Sequence, residues 1–418
     1  MSTLWNRNFT MVVIGQIISI FGNAILRFAL PLYLLNQAGS AALFGAVSAF
    51  SFIPMILLAP IGGIFADRVN KRNIMVVLDF ATALIILVLM ILLGKVNLVV
   101  LLLITMVLLY GIQGAYQPSV QASIPVLLAP EHIMQGNAAI NLVNSFSGLL
   151  GPVIGGILFS FVGIKPILLI SSFCFLASAM MEIFIQIPFI KKETNKTVLQ
   201  VGILDLKESF HYMGHTQPLI IHLSLIVAGI NLVISALIII GLPVIITQIL
   251  PFETDTASRL YGYAQGALAA GGLLGGILAG ALSKKLKAKS AYRRIIACAF
   301  SLLPMGLALI LPLPALVSYG IIIISCFFMM VAASLLSIQL MAYLQMIIPK
   351  EILGKVISCA MCIGMCASPL GQAIYGGLFQ IFREHAEWIL FAAMIITCIF
   401  ALTSKNIFQK LSRVVKED

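Results

Sequence analysis

The sequence predicts an all-α polytopic membrane protein with twelve transmembrane helices in two pseudo-symmetric six-helix bundles. Of its 418 residues, 61% are hydrophobic and only 9% are charged, and the mean hydropathy is +1.12. A soluble domain carries about 25% charged residues. Apolar runs long enough to cross a bilayer follow one another along the chain, separated by short polar breaks. The chain is therefore expected to cross the membrane many times.

Twelve apolar runs define the expected helices. They lie near residues 8–36, 41–66, 73–94, 97–128, 134–162, 166–189, 218–250, 258–284, 291–311, 315–347, 352–381 and 386–408. The longest polar break lies at 190–217 and divides them into six and six. We therefore expect an N-terminal bundle at 1–189, a cytoplasmic linker at 190–217 and a C-terminal bundle at 218–418.

The distribution of charge predicts the orientation. The net charge is +11, which could suggest a nucleic-acid partner, but the cations sit in short loops between apolar runs. If the N-terminus is cytoplasmic, the outer loops hold only Lys95, Lys165, Arg259 and Arg383. The positive-inside rule then places both termini in the cytoplasm. We expect a monomer in the cell (inner) membrane, in contact with membrane lipids and not with nucleic acid.

The two halves of the chain repeat each other. Five residues of the first half, Glu131, Gly151, Gly156, Leu158 and Phe159, recur at a constant offset as Glu351, Gly371, Gly376, Leu378 and Phe379. The small residues 276–280 also echo 63–67, with Gly280 in place of an acid. Parallel repeats of six spans, related by an axis along the membrane normal, are a known transporter architecture.

The loop after the second span concentrates charge. Asp67, Arg68, Lys71 and Arg72 fall within six residues. From the spacing alone, an ordinary positive-inside loop fits as well as a specialised one. The glycine before them, Gly63, allows close approach of another helix.

This loop resembles the signature between helices 2 and 3 of the major facilitator superfamily, G-x-L-A-D-R-x-G-R-K/R-x-x-L. The matches are Gly63, Ala66, Asp67, Arg68, Lys71 and Arg72, while Phe65 and Asn70 depart from the pattern. In that family the loop latches the two halves together on the cytoplasmic side when the transporter faces outward. The resemblance implies a conformational latch formed by Gly63, Asp67, Arg68, Lys71 and Arg72. Asn70 is the non-glycine residue that best tolerates a left-handed backbone, which such a turn would use.

Small residues in the fifth span predict close helix packing. Gly151, Gly155 and Gly156 allow close contact, and Pro152 bends the helix. The run also resembles the superfamily's antiporter motif G-x-x-x-G-P-x-x-G-G, with Ser147 in place of the first glycine. Within the family this motif tracks exporters more than importers. Segments near Glu131 and Glu351 look like the drug:proton antiporter branch that includes macrolide-efflux proteins.

Three ionisable residues stand out within predicted spans, where charge is costly: Arg27, Asp79 and Glu182. Asn23 lies four residues before Arg27 and shares its face. Arg27 either faces a cavity, where an acidic or zwitterionic substrate could bind it, or extends to the outer interface. Asp79 and Glu182 are the candidates for proton coupling. The alternatives are an ion pair between Asp79 and Arg68 or Arg72, and an interfacial position for Glu182.

Polar side chains in the fourth and tenth spans are further candidates for a substrate site. Spacing of three to four puts Gln113, Tyr116 and Gln117 on one helix face. In the second half, Gln339 and Tyr343 have the same spacing. We expect these five side chains, with Asn23 and Arg27, to line a cavity for an amphiphilic small molecule.

The sequence does not predict an enzyme. It has no P-loop, nucleophile–base arrangement or convincing metal-ligand set, so no cofactor and no metal are expected. His211 and His215 have ligand-like spacing, but they lie in the polar linker. We therefore predict an exporter of amphiphilic drug-like compounds that works by alternating access and proton antiport. The rival hypotheses are a lipid or lysolipid flippase without proton coupling, and a siderophore or metabolite exporter.

Overall fold

Every element of the described structure is helical. The computed structural model describes residues 5–129, 132–187, 207–282, 286–349 and 352–415, and within helices the side chains of 59–68, 134 and 138 lie outside the description. Twelve of the helices are long and apolar enough to cross a membrane. The predicted fold class is therefore confirmed.

We number these helices α1 to α12 in chain order. They are α1 Arg7–Ala38, α2 Ala41–Arg68, α3 Lys71–Leu92, α4 Leu98–Leu127, α5 Ile133–Val162, α6 Ile164–Ile183, α7 Pro218–Ile249, α8 Thr254–Ala281, α9 Ala288–Ile310, α10 Ala315–Ile347, α11 Leu353–Ile381 and α12 Ala386–Val414. The first and last residues of the helices lie close to the predicted boundaries, because polar or glycine residues end each apolar run.

Two helices depart from regular α-geometry. α7 contains π-helical turns at Asn231–Ser235 and Ile245–Ile249. At the first turn, the Asn231 side chain donates to the carbonyl of Gly364 at 3.0 Å. α9 is broken at Ser301, where Pro304 lacks the N–H that would bond the carbonyl of Phe300. Both features are common where a helix carries a side-chain or proline interruption.

The described helices fall into two compact units. The first contains α1, the part of α2 from Phe50 onward, and α3 to α6. The second contains Gly39–Ala49 and α7 to α12. In the second unit the start of α2 crosses α11 so closely that a Cβ on Gly45 would lie 2.7 Å from the Cα of Gly376. Only glycine permits such contact between backbones.

The internal repeat has a structural counterpart within each unit. In the first unit α5 packs on α1, and a Cβ on Gly151 would lie 2.4 Å from the Cβ of Ala24. In the second unit α11 packs on α7, and a Cβ on Gly371 would lie 2.5 Å from the Cβ of Ala236. In each unit the repeated glycine thus allows close packing of two helices, α5 on α1 in the first unit and α11 on α7 in the second. The repeat members Glu131 and Glu351 lie outside the described residues.

Candidate functional site

Arg27 lies at a small pocket inside the first unit. Its Nη1 donates to Gln113 Oε1 at 2.7 Å, and its guanidinium carbon lies 4.6 Å from the centre of the Tyr110 ring. Asn23 lines the same pocket, together with apolar side chains of α1, α4 and α6 that include Leu30, Met106, Leu109 and Phe175. The Arg27 side chain is exposed, so its charge is free to meet a ligand or water. The structure thus brings Asn23, Arg27 and Gln113 together at one pocket, and their contact with substrate stays a prediction.

Asp79 and Glu182 both lie in the interior of the first unit. Asp79 is 2% exposed and Glu182 is 0% exposed. The two carboxyl groups interact electrostatically with each other across α3 and α6. Gly15 on α1 faces this site, where a Cβ would lie 3.7 Å from Glu182 Cγ, an ordinary van der Waals contact. The close contact of α1 with α6 therefore seals the carboxyl groups from solvent.

Hydroxyl and amide groups from α1 and α4 contact the two carboxyl groups, which lie on α3 and α6. The Tyr116 hydroxyl donates to Glu182 Oε1 at 2.8 Å, and Gln16 Nε2 donates to the Tyr116 oxygen at 2.6 Å. The Ser19 hydroxyl donates to Asp79 Oδ1 at 3.2 Å. We call these five residues, Gln16, Ser19, Asp79, Tyr116 and Glu182, the carboxyl cluster.

The carboxyl cluster is incompletely satisfied. Asp79 Oδ2, Glu182 Oε2 and Gln16 Oε1 are buried without a hydrogen-bond partner among the described residues. The described ion pairs, Lys355–Glu208 and His385–Glu387, lie elsewhere. Buried polar groups are normally paired, and a site that leaves several oxygens unpaired stores an electrostatic cost. Such a site is suited to exchange protons.

The contacts bear on the alternative positions of the two carboxyl groups. The Arg72 guanidinium donates to Asn73 Oδ1 at 2.9 Å and toward the carbonyl of Ile183 at 3.5 Å, and no described ion pair joins it to Asp79. The side chain of Arg68, the other candidate partner, lies outside the described residues. Glu182 lies one residue before the end of α6 and is 0% exposed, with Gly15 of α1 and Tyr116 of α4 against it.

Tyr116 belongs to the carboxyl cluster and not to the Arg27 pocket. Its side chain is 5% exposed, and its hydroxyl is held between Gln16 and Glu182. Gln113 lies three residues earlier and turns toward Arg27 instead. Gln117 is half-buried on the same helix. The predicted face of α4 is thus divided between two neighbouring sites.

Gln339 and Tyr343 form a buried cluster within the second unit. Gln339 Nε2 donates to the carbonyl of Leu286 and to the Tyr343 oxygen, each at 2.8 Å, and the Tyr343 hydroxyl donates to the same carbonyl at 3.1 Å. Arg294 donates to Gln339 Oε1. Their polar atoms hold the loop between α8 and α9, so this placement does not favour the predicted substrate contact. We leave both residues out of the proposed substrate site.

The predicted latch is only partly described. Gly63, Asp67 and Arg68 lie in the last turns of α2, and their side chains lie outside the described residues. Lys71 and Arg72 begin α3. Asn70 does not take the predicted left-handed conformation: its φ is −59°, and its Oδ1 accepts from the backbone N–H of Arg72 at 3.0 Å. Asn70 is therefore the N-cap of α3.

The histidine pair of the predicted linker lies beside the start of the second unit. The His211 and His215 rings stack with their centres 4.5 Å apart, on a π-helical turn that precedes α7. Within the described ranges, no group of three His, Cys, Asp or Glu side chains is placed to hold a metal ion. The rest of the predicted linker, up to residue 206, lies outside the description.

The fold and these sites define a class of protein: a multi-pass membrane protein with polar sites inside a helical bundle. The particular family follows from comparison of the sequence. Residues 12–372 match the family model of the Major Facilitator Superfamily, and the chain belongs to that family of transporters. The resemblance inferred from the loop after α2 is confirmed.

Known relatives and structures agree with this assignment. The chain is 24% identical over 398 residues to macrolide efflux protein A of Streptococcus pyogenes, covering 94% of this chain and 95% of the relative. A bacterial homologue of the iron transporter ferroportin, in an inward-facing state, superposes with a TM-score of 0.71 at 17% identity, covering 97% of this chain and 98% of that structure. A D-xylose–proton symporter gives a TM-score of 0.66 at 14% identity, covering 94% of each chain. At these identities the structures support the fold alone.

Proposed function

We propose that this protein exports amphiphilic small molecules in exchange for protons, by alternating access. We place it in the cell (inner) membrane as a monomer with both termini in the cytoplasm. The observation that carries the proposal is the carboxyl cluster. Two buried carboxyl groups share one interior site without a described cation, although a membrane protein could have used apolar side chains there at lower cost.

The electrostatics of the cluster support proton coupling. Two ionised carboxylates in a low-dielectric interior repel each other and lose hydration, so a proton on one of them removes most of that cost. Tyr116 and Ser19 can donate to an ionised carboxylate or accept from a protonated one, because each hydroxyl has both a hydrogen and lone pairs. The cluster can therefore exist in both protonation states without repacking.

The arrangement along α1 supports coupling between protons and substrate. Ser19, Asn23 and Arg27 are spaced by four residues and lie on one helix face. The first belongs to the carboxyl cluster and the other two line the Arg27 pocket. A change of hydrogen bonding at Ser19 thus occurs on the same rigid helix that carries the pocket. We propose that this helix transmits protonation to the substrate site.

The pocket supports a substrate with an apolar body and a polar or anionic group. Most lining residues are apolar or aromatic, and Arg27 supplies a cation backed by the Tyr110 ring. The similarity to a macrolide efflux protein over nearly the whole chain supports drug export. The exposed arginine in an apolar pocket also fits a lysolipid, whose phosphate it could bind. We therefore retain a lysolipid flippase as the second candidate.

The two candidates differ in their dependence on a pH gradient. A panel of macrolides, other amphiphilic drugs and lysolipids is first tested for efflux from cells that overexpress the protein. The compound found is then added to everted membrane vesicles with an imposed acidic interior. An antiporter accumulates it inside only while the gradient exists, and a protonophore abolishes accumulation. Movement that reaches equilibrium equally well without a gradient contradicts antiport and favours the flippase.

A further inference from the structure

Tyr116 occupies a position between the two carboxyl groups that its packing role alone does not explain. Its hydroxyl bonds to Glu182 Oε1 at 2.8 Å and lies within hydrogen-bonding reach of Ser19. Ser19 in turn bonds to Asp79 Oδ1 at 3.2 Å. The four side chains come from α6, α4, α1 and α3. They form two hydrogen-bonded pairs, Glu182–Tyr116 and Ser19–Asp79, and Ser19 is the neighbour of Tyr116 that would join the pairs.

We infer that Glu182, Tyr116, Ser19 and Asp79 form a proton relay, in which the Tyr116 hydroxyl passes a single proton between the two carboxyl groups. The inference rests on the proposed proton coupling and names the residues that carry it. Tyr116 is a further functional residue of the transport cycle. Its predicted role was substrate contact.

The step is balanced in atoms and charge. When Glu182 is protonated, its O–H hydrogen passes to the Tyr116 oxygen as the hydrogen of Tyr116 passes to Ser19. The hydrogen of Ser19 passes at the same time to Asp79 Oδ1. One O–H bond breaks at Glu182 and one forms at Asp79, while each hydroxyl loses and regains one hydrogen. The net charge of the site does not change, and the reverse transfer uses the same contacts.

Gln16 orients the relay. Its amide N–H donates to the Tyr116 oxygen at 2.6 Å, which fills one of the lone pairs of that oxygen. The single hydrogen of Tyr116 is then directed to a neighbouring acceptor on α6 or α1. The titratable side chains that face Tyr116 are Asp79 from α3 and Glu182 from α6, whereas α1 contributes the neutral Gln16 and Ser19. Arg27, two turns beyond Ser19, is engaged with Gln113.

Three buried oxygens of the carboxyl cluster, Asp79 Oδ2, Glu182 Oε2 and Gln16 Oε1, have no described partner, although buried polar groups are normally paired. In the buried cluster around Gln339 and Tyr343, the Tyr343 hydroxyl donates to the backbone carbonyl of Leu286. Tyr343 is 4% exposed and Tyr116 is 5% exposed, so the two tyrosines are matched in burial.

The test compares Tyr116→Phe with Tyr343→Phe. Both remove one buried hydroxyl and keep the ring. We expect Tyr116→Phe to bind substrate with an affinity close to that of the wild type but to slow substrate-induced proton release by about 100-fold, a typical contribution of a positioned proton-transfer group. Tyr343→Phe is expected to release protons at the wild-type rate. Wild-type proton release by Tyr116→Phe would overturn the relay.

A second readout needs neither substrate nor transport. Infrared difference spectra of the purified protein at high and low pH report the C=O stretch of protonated carboxyl groups, and Glu182→Gln and Asp79→Asn assign the bands. If the groups share a proton, each of these variants alters the band of the other, and Tyr116→Phe alters both. Unchanged bands in Tyr116→Phe would overturn the relay. If the wild-type protein shows coupled bands but releases no protons when substrate binds, that result contradicts only the proposed antiport. If Tyr116→Phe does not fold, Ser19→Ala is measured in its place, with the same expected result.

Discussion

At the scale of single residues, the carboxyl cluster predicts which substitutions uncouple transport. Glu182→Gln and Asp79→Asn keep the size of each side chain and remove its ability to carry a proton. We expect both variants to fold and to lose most substrate-induced proton release in detergent solution. Glu208→Gln is the control, since Glu208 is an exposed acid paired with Lys355. If proton release is unchanged in both cluster variants, either another group carries the proton or transport is not coupled to protons.

Arg27 predicts the charge preference of the substrate site. Arg27→Gln removes the cation but leaves a side chain that can still contact Gln113. Since a hydrogen bond to a charged group contributes about 1.5–3 kcal/mol, we expect an anionic ligand to lose about 10- to 100-fold in affinity. A cationic ligand of similar size is expected to lose little. Arg27→Lys, which keeps the charge without the planar fork, should fall between.

The charge preference of Arg27 is tested by measuring ligand binding. Binding of the two ligands can be followed by quenching of intrinsic fluorescence or by calorimetry in detergent. Equal losses of affinity for both ligands, or no loss for either, would show that Arg27 does not distinguish ligands by their charge. It would then act through packing on Tyr110.

Sequence reasoning identified the charged members of these sites and missed their neutral partners. Asp79, Glu182 and Arg27 stand out because charge in an apolar run is costly. Gln16 and Ser19 resemble ordinary polar residues of a helix, and their importance comes from partners on other helices. Tyr116 was assigned to the pocket because the spacing from Gln113 fits one face. The three-residue step rotates Tyr116 far enough to point into the bundle interior. A polar stripe from Gln16 to Arg27 along α1 was the available signal.

At the scale of helices, the repeated glycines predict which contacts the fold depends on. Gly151→Val places a branched side chain where even a Cβ lies 2.4 Å from Ala24 on α1. Overpacking of this kind costs about 1–3 kcal/mol, so we expect lower thermal stability in detergent. Gly148→Val is the matched control, since nothing lies within 4 Å of a Cβ at that position on the same helix. Equal melting of the two variants would contradict the packing role of Gly151.

The positions of the helices followed from the sequence, but their irregularities did not. An apolar run of about twenty residues is enough to identify a span. The π-helical turn at Asn231 depends on a hydrogen bond to Gly364, which lies on α11 and far along the chain. The break at Ser301 could have been inferred from Pro304. The role of Asn70 was misjudged because the same residue type serves both as an N-cap and in left-handed turns.

At the scale of the whole molecule, the proposed alternating access requires that the protein change its exposure to the two sides of the membrane. The loop after α2 resembles the family latch, which closes the cytoplasmic side when the transporter faces outward. We therefore expect the outward-facing state to depend on Asp67. α2 is also the helix whose first part belongs to one compact unit and whose later part belongs to the other. Asp67 itself lies at the end of α2, with its side chain outside the described residues.

We expect Asp67→Asn to leave the protein folded in the membrane but to cripple transport. The substitution keeps the size of the side chain and removes the negative charge that a latch needs beside cations such as Arg68. A charge that acts as a latch acts on the transport cycle, so we expect the effect in transport and not in thermal unfolding. The measurement is efflux in cells at matched membrane levels of the variant, with Glu208→Gln as the control acid. Wild-type efflux by Asp67→Asn at equal expression would contradict the latch and return the loop to an ordinary role in orienting the helices.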